Sequence, residues 1–256
     1  ITSNTLGSMA DRRSHDLLHD MILDVVPHDV IFSEEQDDDL RRLSSHRVWI
    51  IDPLDGTKEY SELNRSDWAV HVALVENGIP TVGAVALPDR GITFCSNDVP
   101  ITHREITKIR VICSRTRPGP AAQLIADELS GEIIRMGSAG AKAIAVVNGE
   151  ADIYVHTGGQ YEWDSCAPVA VALANGLHAS RLDGSPLTYD QMPFVLNKTH
   201  PALALGEVAV PGNMDAMIAG QAQLGSEFHP TVFAGIAGKV QFLGINETMA
   251  AGMPWM

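Results

Sequence analysis

Basic residues are scarce in this chain of 256 residues: 18 lysines and arginines stand against 32 aspartates and glutamates, a net charge of −14. A field of that sign argues against binding a nucleic-acid polymer or an anionic membrane surface. It does not exclude a small anionic substrate, because a bound cation reverses the sign locally. Cysteine is rarer still. Cys95, Cys113 and Cys166 are odd in number and far apart, which excludes a disulfide framework and a zinc spacing and points to a reducing cytoplasm. No apolar run is long enough to span a bilayer, and no signal peptide is recognisable. The first residue is Ile1 rather than Met, so the chain reads as a fragment or a processed form. What remains is ordinary for a soluble globular protein: 45% apolar and 20% charged residues. The length allows one large domain or two small ones.

One stretch organises the rest. Val48 to Ile51 is a short apolar run suited to a buried strand. Within two residues it becomes Asp52-Pro53-Leu54-Asp55-Gly56-Thr57. Two carboxylates three apart on a proline-stiffened corner suit a hard, oxygen-liking cation such as Mg²⁺. Pro53 leaves the Leu54 carbonyl free as a further ligand. Gly56 permits a positive φ or a close backbone approach. Thr57 can cap a helix, whose N-terminus attracts phosphate. The same residues would also make an ordinary Asp-Pro turn with a capped helix.

Around this corner, the apolar spacing of Leu17, Leu18, Met21, Ile22 and Val25 predicts an amphipathic helix over Asp11–Val26, ended by Pro27. Val30 to Phe32 reads as a strand, followed by the acidic run Ser33 to Asp39. Residues 67–75, 81–87 and 91–95 read as an antiparallel meander turning at Asn77-Gly78. Trp68 and His71 read as core or edge residues. After a polar stretch, Thr102 to Thr107, the order becomes strand (109–113), helix (118–129), strand (133–136), an α/β pattern. Gly137-Ser138-Ala139-Gly140-Ala141-Lys142 enters a helix that Gly149 closes. Such a loop offers amides to an anion, or small residues for close packing. Residues 152–156 form a strand. Asp164 then reads as the N-cap of a helix that carries Pro168 in its first turn. A strand at His178 to Ser180 and a turn at Asp183-Gly184-Ser185-Pro186 follow.

Asp52-Pro53-Leu54-Asp55-Gly56-Thr57 resembles the signature of the Mg²⁺-dependent, lithium-sensitive phosphatases. These include inositol monophosphatases, fructose bisphosphatases and 3′(2′),5′-bisphosphate nucleotidases. Ser33-Glu34-Glu35 and Trp163-Asp164-Ser165-Cys166-Ala167 resemble two further motifs of that family, in the right order. With Gly137 to Lys142 and Asp183 to Pro186 they are most similar to the bacterial CysQ-type nucleotidases. The resemblance implies an α+β fold layered αβαβα and two or three Mg²⁺ ions. It implies Glu34, Asp52 and the Leu54 carbonyl as ligands of one ion, and Asp52, Asp55 and Asp164 as ligands of a second. Thr57, Glu34 and Asp11 would act on the attacking water. Gly56, Thr57, Gly137, Ser138 and Lys142 would line the substrate pocket, with Lys142 answering a second phosphate. The stretch Gln36 to Asp39 is expected to be a solvated acidic loop.

The resemblance therefore implies hydrolysis of the 3′-phosphate of 3′-phosphoadenosine 5′-phosphate to give AMP, and is compatible with a homodimer. Inositol monophosphate or fructose 1,6-bisphosphate hydrolysis is the alternative, and a non-catalytic metal- or phosphate-binding protein is the alternative of another class. The expected organisation is 1–106 as an α+β domain with the metal site, 107–205 as an α/β domain, and 206–256 as an unassigned tail. Two departures stand out. The family's lead-in to Asp11 is reduced to Ala10-Asp11, and the tail is rich in Ala, Gly and Met and does not align.

Overall fold

The computed structural model describes residues 3–98, 107–156, 159–181, 186–190 and 204–206. The boundary expected near residue 106, most of the turn at 183–186 and the tail beyond residue 206 lie outside the described residues. Helix α1 (Ser3–Val25) is followed by strands β1 (Val30–Ser33) and β2 (Arg47–Asp55), the short helix α2 (Thr57–Ser61), and strands β3 (Ala69–Glu76), β4 (Ile79–Leu87) and β5 (Ile92–Cys95). Then come β6 (Arg110–Ser114), α3 (Pro120–Glu128), β7 (Glu132–Met136), α4 (Ala139–Val147), β8 (Ile153–Val155), α5 (Glu162–Ala174), β9 (His178–Ser180) and β10 (Ala204–Gly206).

The first sheet has the order β1-β2-β3-β4-β5, with only β1 and β2 parallel. The second has the order β7-β6-β8-β10-β9, parallel except where β10 runs against β8 and β9. Leu18 and Ile22 of α1 pack on Ile31, Ile51, Val70 and Val72 on one face of the first sheet. The opposite face, with Phe32, Val48, Ala73 and Val85, joins α4, α5 and the second sheet in one large apolar cluster. Helix α3 packs on β6, β7 and β8. This is the layered α+β sandwich that the motifs imply. No described helix is long and apolar enough to cross a membrane.

Two small residues set the spacing of the layers. Helix α1 begins at Ser3 rather than Asp11, because the small residues before Asp11 are contact surface and not a frayed end. A Cβ on Gly7 would stand 2.6 Å from Thr57 Cγ2, so only glycine lets α1 lie against α2. On the other face, a Cβ on Gly83 of β4 would stand 2.7 Å from both the Ala167 carbonyl oxygen and Ala170 Cβ of α5. Helix α5 therefore rests almost on the strand backbone.

One member of the acidic run, Asp38, is not solvated as its charge suggests, while Asp37 is exposed. Asp38 accepts from Arg42 Nε at 2.6 Å, and Asp190 accepts from Arg42 Nη1 at 2.7 Å. Arg42 itself is fully buried, its guanidinium 4.2 Å from the Phe32 ring centre. A buried guanidinium needs carboxylate partners, and Asp38 is drawn in to supply one.

Candidate active site

The corner after β2 forms because the β2–β3 ladder shifts register between Asp52 and Asp55. An irregularity of this kind re-aims side chains and ends regular pairing. Asp52 is 1% exposed, and its Oδ1 accepts from the Leu54 amide at 3.1 Å. Gly56 takes φ 90° and is itself the N-cap of α2, so Thr57 is the first helical residue and not the cap. The Thr57 hydroxyl lies 3.1 Å from the Leu54 carbonyl oxygen and 3.4 Å from Asp11 Oδ2. Its single proton serves one of them at a time. Asp11 is buried, and its Oδ1 has no partner among the described residues.

Asp55 is the most heavily supported of the three aspartates Asp52, Asp55 and Asp164. Its Oδ2 accepts from the Ser138 hydroxyl at 2.5 Å and the Gly140 amide at 2.7 Å, and His71 Nε2 lies 3.2 Å away. His71 is fully buried, as a core residue would be, but its ring also bridges the site. Nδ1 donates to the Trp163 carbonyl at 3.0 Å. The ring fits only because residue 140 is glycine: a Cβ there would stand 2.0 Å from His71 Nε2. Burial pushes the Asp55 carboxyl up, but His71, Lys142 and Ser138 outweigh it and hold the group below the usual carboxylate range. Ser138 holds φ 40°, a strained value for a side-chain-bearing residue. Its hydroxyl donates to Asp55 while accepting from the Ala141 amide at 2.9 Å, which ties α4 to β2.

Asp164 was expected to be an N-cap. Helix α5 instead starts earlier, with Tyr161 as N-cap and Pro168 well past the first turn. Asp164 Oδ2 reaches back to the Tyr161 amide at 2.6 Å. The three aspartates thereby converge: Asp52, Asp55 and Asp164 each offer an oxygen, all within 4.8 Å of one another. An all-oxygen donor set of this density fits a hard divalent cation. The electrostatics agree. Burial first, then Asp55, Glu34 and Asp164, raise the Asp52 carboxyl well above its ordinary value. Burial and Asp55 raise Asp164 to about 7. Burial and Glu35 raise Asp11 to about 7. Glu34 is exposed at its surface, but desolvation where it meets the site, with Asp11 and Asp55, raises it to about 7. Such a crowd of like charges calls for a counter-cation.

The same crowding has a measurable consequence. These groups ionise near 7 or above in the folded chain and near their ordinary values of 3.8 and 4.5 when unfolded. The folded protein thus binds more protons at intermediate pH, and its stability falls as pH rises through the folded values. The melting temperature of chelator-treated protein should climb as pH is lowered from about 8 to about 5. A flat or opposite profile in thermal denaturation would contradict this arrangement.

A cavity of about 270 Å³ opens beside the carboxylates, lined by Glu34, Asp52, Asp55 and Asp164 on one side. Gly137, Ser138 and Lys142 line it too, as expected of pocket residues. Their donors are largely engaged within the protein. The Gly137 amide donates to Asp67 Oδ2 at 2.6 Å. Lys142 Nζ donates to the Gly137 carbonyl at 3.0 Å and also to that of Ser138. Burial lowers the Lys142 pKa. This lysine thereby braces the entrance to α4. The residues that local motifs did not reveal are His71 and the β6–α3 connection, whose Ser114, Thr116 and Arg117 form another wall. The alternation of β3 did carry a signal for His71, which shares a face with Ala69, Ala73 and Val75 as the one polar member.

Comparison with known proteins bears on what this site is. The inositol monophosphatase family model matches residues 2–222, reaching further toward both ends than the motifs do. A 3′-phosphoadenosine 5′-phosphate phosphatase of Mycobacterium bovis is 48% identical over 197 residues, covering 73% of this chain and 74% of the relative. The 3′(2′),5′-bisphosphate nucleotidase CysQ of Escherichia coli is 28% identical, covering 76% of this chain and 83% of that protein. CysQ from Bacteroides thetaiotaomicron superposes with a TM-score of 0.62 at 24% identity, over 76% of this chain and 82% of that one. Inositol monophosphatase II from Staphylococcus aureus superposes with a TM-score of 0.64 at 20% identity, over 83% and 81%. At those identities the two solved structures speak for the fold alone. On the family match and the 48% identical relative, the chain belongs to the inositol monophosphatase family, whose members are metal-dependent.

Proposed function

We propose that this chain is a Mg²⁺-dependent phosphomonoester hydrolase that removes the 3′-phosphate of 3′-phosphoadenosine 5′-phosphate and releases AMP. The observation that carries the reaction is the convergence of three aspartates on one cavity. The substrate rests on the 48% identity to curated phosphatases of that compound. Glu34, Asp52 and the Leu54 carbonyl would hold one ion, and Asp52, Asp55 and Asp164 a second, with Asp11 available to a third. When bound, the ions supply Lewis acidity that offsets the charge gathering on the phosphoryl oxygens in an in-line displacement.

The chain's own residues do the rest. The Thr57 hydroxyl donates to Leu54 or Asp11, which leaves its lone pairs for a water. Glu34, on the same side of the cavity, would accept a hydrogen bond from that water. Asp11 orders Thr57. The Gly56 and Thr57 amides, at the start of α2, take phosphate oxygens. The hydrogen bonds to Asp52, Asp55 and Asp164 hold the three carboxylates in place beside the cavity. The three cysteines are free and buried, fit a reducing cytoplasm, and have no part in the chemistry. Sugar-type phosphates are the competing substrates at an unchanged metal site.

Phosphate release should be measured with 3′-phosphoadenosine 5′-phosphate, inositol 1-phosphate and fructose 1,6-bisphosphate, with Mg²⁺ and with or without millimolar lithium. The expected outcome is lithium-sensitive turnover that favours the nucleotide. A preference for either sugar phosphate would discard the substrate and keep the site. Saturating Mg²⁺ should also raise the melting temperature, by the equivalent of about 2.7 kcal/mol at a hundred times Kd.

A further inference from the structure

The β6–α3 connection carries two arginines, two residues apart, in different settings. Arg115 Nη2 pairs with Glu59 at 2.5 Å and Glu62 at 3.2 Å, which straps the connection to α2 just beyond Thr57. Arg117 is held differently. Its amide donates to the Ser114 hydroxyl at 3.2 Å, a local turn, and the residue lines the cavity. No acceptor among the described residues takes its guanidinium. The other cations of the cavity are engaged: Lys142 with two carbonyls, and Lys58 with Glu62 at 3.9 Å. The cavity therefore has one wall of carboxylates, built to take a metal-bound phosphoryl group, and another with an uncommitted guanidinium.

We infer that Arg117 reads the phosphate that is not cleaved, the 5′-phosphate of an adenosine 3′,5′-bisphosphate. This rests on the function proposed above and adds to it the residue that separates bisphosphates from monophosphates. A guanidinium fork matches two phosphate oxygens at once, which a lysine ammonium cannot do. The contact is made in the ground state and the transition state alike, so it acts on KM rather than kcat. Because Arg117 is exposed, solvent screens the pair and the effect is moderate.

The test compares wild type, Arg117→Ala and Arg117→Lys on adenosine 3′,5′-bisphosphate and on adenosine 3′-monophosphate. Arg117→Ala should lose about ten- to thirtyfold in kcat/KM on the bisphosphate, through KM, and less than about twofold on the monophosphate. The Ki of 5′-AMP, which keeps the 5′-phosphate, should rise by a similar factor, and Arg117→Lys should recover part of both. Equal losses on the two substrates, or none, would overturn the inference alone. A wild-type enzyme without preference for the bisphosphate would overturn the substrate reading, and the inference with it.

Discussion

Asp55→Asn will lower kcat roughly a thousandfold or more and leave the fold intact, an expected loss of about 4 kcal/mol of transition-state stabilisation. The geometry makes the two halves of that statement separable. Asp55 Oδ2 accepts from the Ser138 hydroxyl and the Gly140 amide, with His71 Nε2 3.2 Å away. An asparagine satisfies these donors with its carbonyl oxygen, so its NH₂ must take the other position. The NH₂ would then sit in the cluster with Asp52 and Asp164, where an oxygen is needed for a cation and an N–H repels one. The same NH₂ can donate to those carboxylates, which offsets part of the stability lost with the Asp55 charge, so metal-free protein should melt close to the wild-type temperature. Turnover with Mg²⁺, titration calorimetry of Mg²⁺ binding and thermal denaturation of the chelated variant check the three parts. A near-normal rate would remove Asp55 from the metal site, and a large loss of stability would show that the hydrogen bonds were misread.

Gly83→Val is expected to have the largest effect on stability. The first added carbon would meet the Ala167 carbonyl oxygen and Ala170 Cβ at 2.7 Å, and neither is the end of a flexible side chain. Helix α5 must lift from β4 or the strand must bend. Overpacking of a well-filled core costs about 3 kcal/mol, or roughly 6–12 °C in melting temperature for a domain of this size. Activity should fall too, beyond what the lost stability explains at a permissive temperature. The displaced helix carries Asp164 and the Trp163 carbonyl that positions His71. A melting temperature within two degrees of wild type, by calorimetry, would mean that the contact between the layers is looser than described.

These two residues differ in how visible they were before the structure. Asp55 was legible because its partners in chemistry are its neighbours in sequence: six consecutive residues carry the corner. Glu34 and Asp164 were legible for the same reason, each set in a short motif of its own. His71 was not, because strand pairing brings it to the site; it is the partner of Asp52 across β2 and β3, nineteen residues away. Lys142 lines the cavity, but its engagement with two carbonyls depends on the path of the Gly137–Ser138 turn and was not legible. Asp38 misled in the opposite sense. Its charge suggested solvent, while Arg42 and Asp190 made it part of a buried network whose far member lies 148 residues from Arg42. The layers were legible from periodicity. The glycines that set their separation, Gly7 and Gly83, carry no periodic signal.

The placement of Asp164 on α5 has a consequence in time. The first sheet is complete by Cys95, and with it Glu34, Asp52 and Asp55, whereas Asp164 and the helix beneath it come from residues 162–174. At about 5–20 residues per second, a growing chain spends several seconds with two of the three aspartates made and the third not yet synthesised. During that interval β4 lacks the helix that covers Gly83, and Arg42 lacks Asp190. The N-terminal half emerges from the ribosome as a sheet with one uncovered apolar face. Completion of the aspartate cluster and burial of that face both wait for the same thirteen-residue helix.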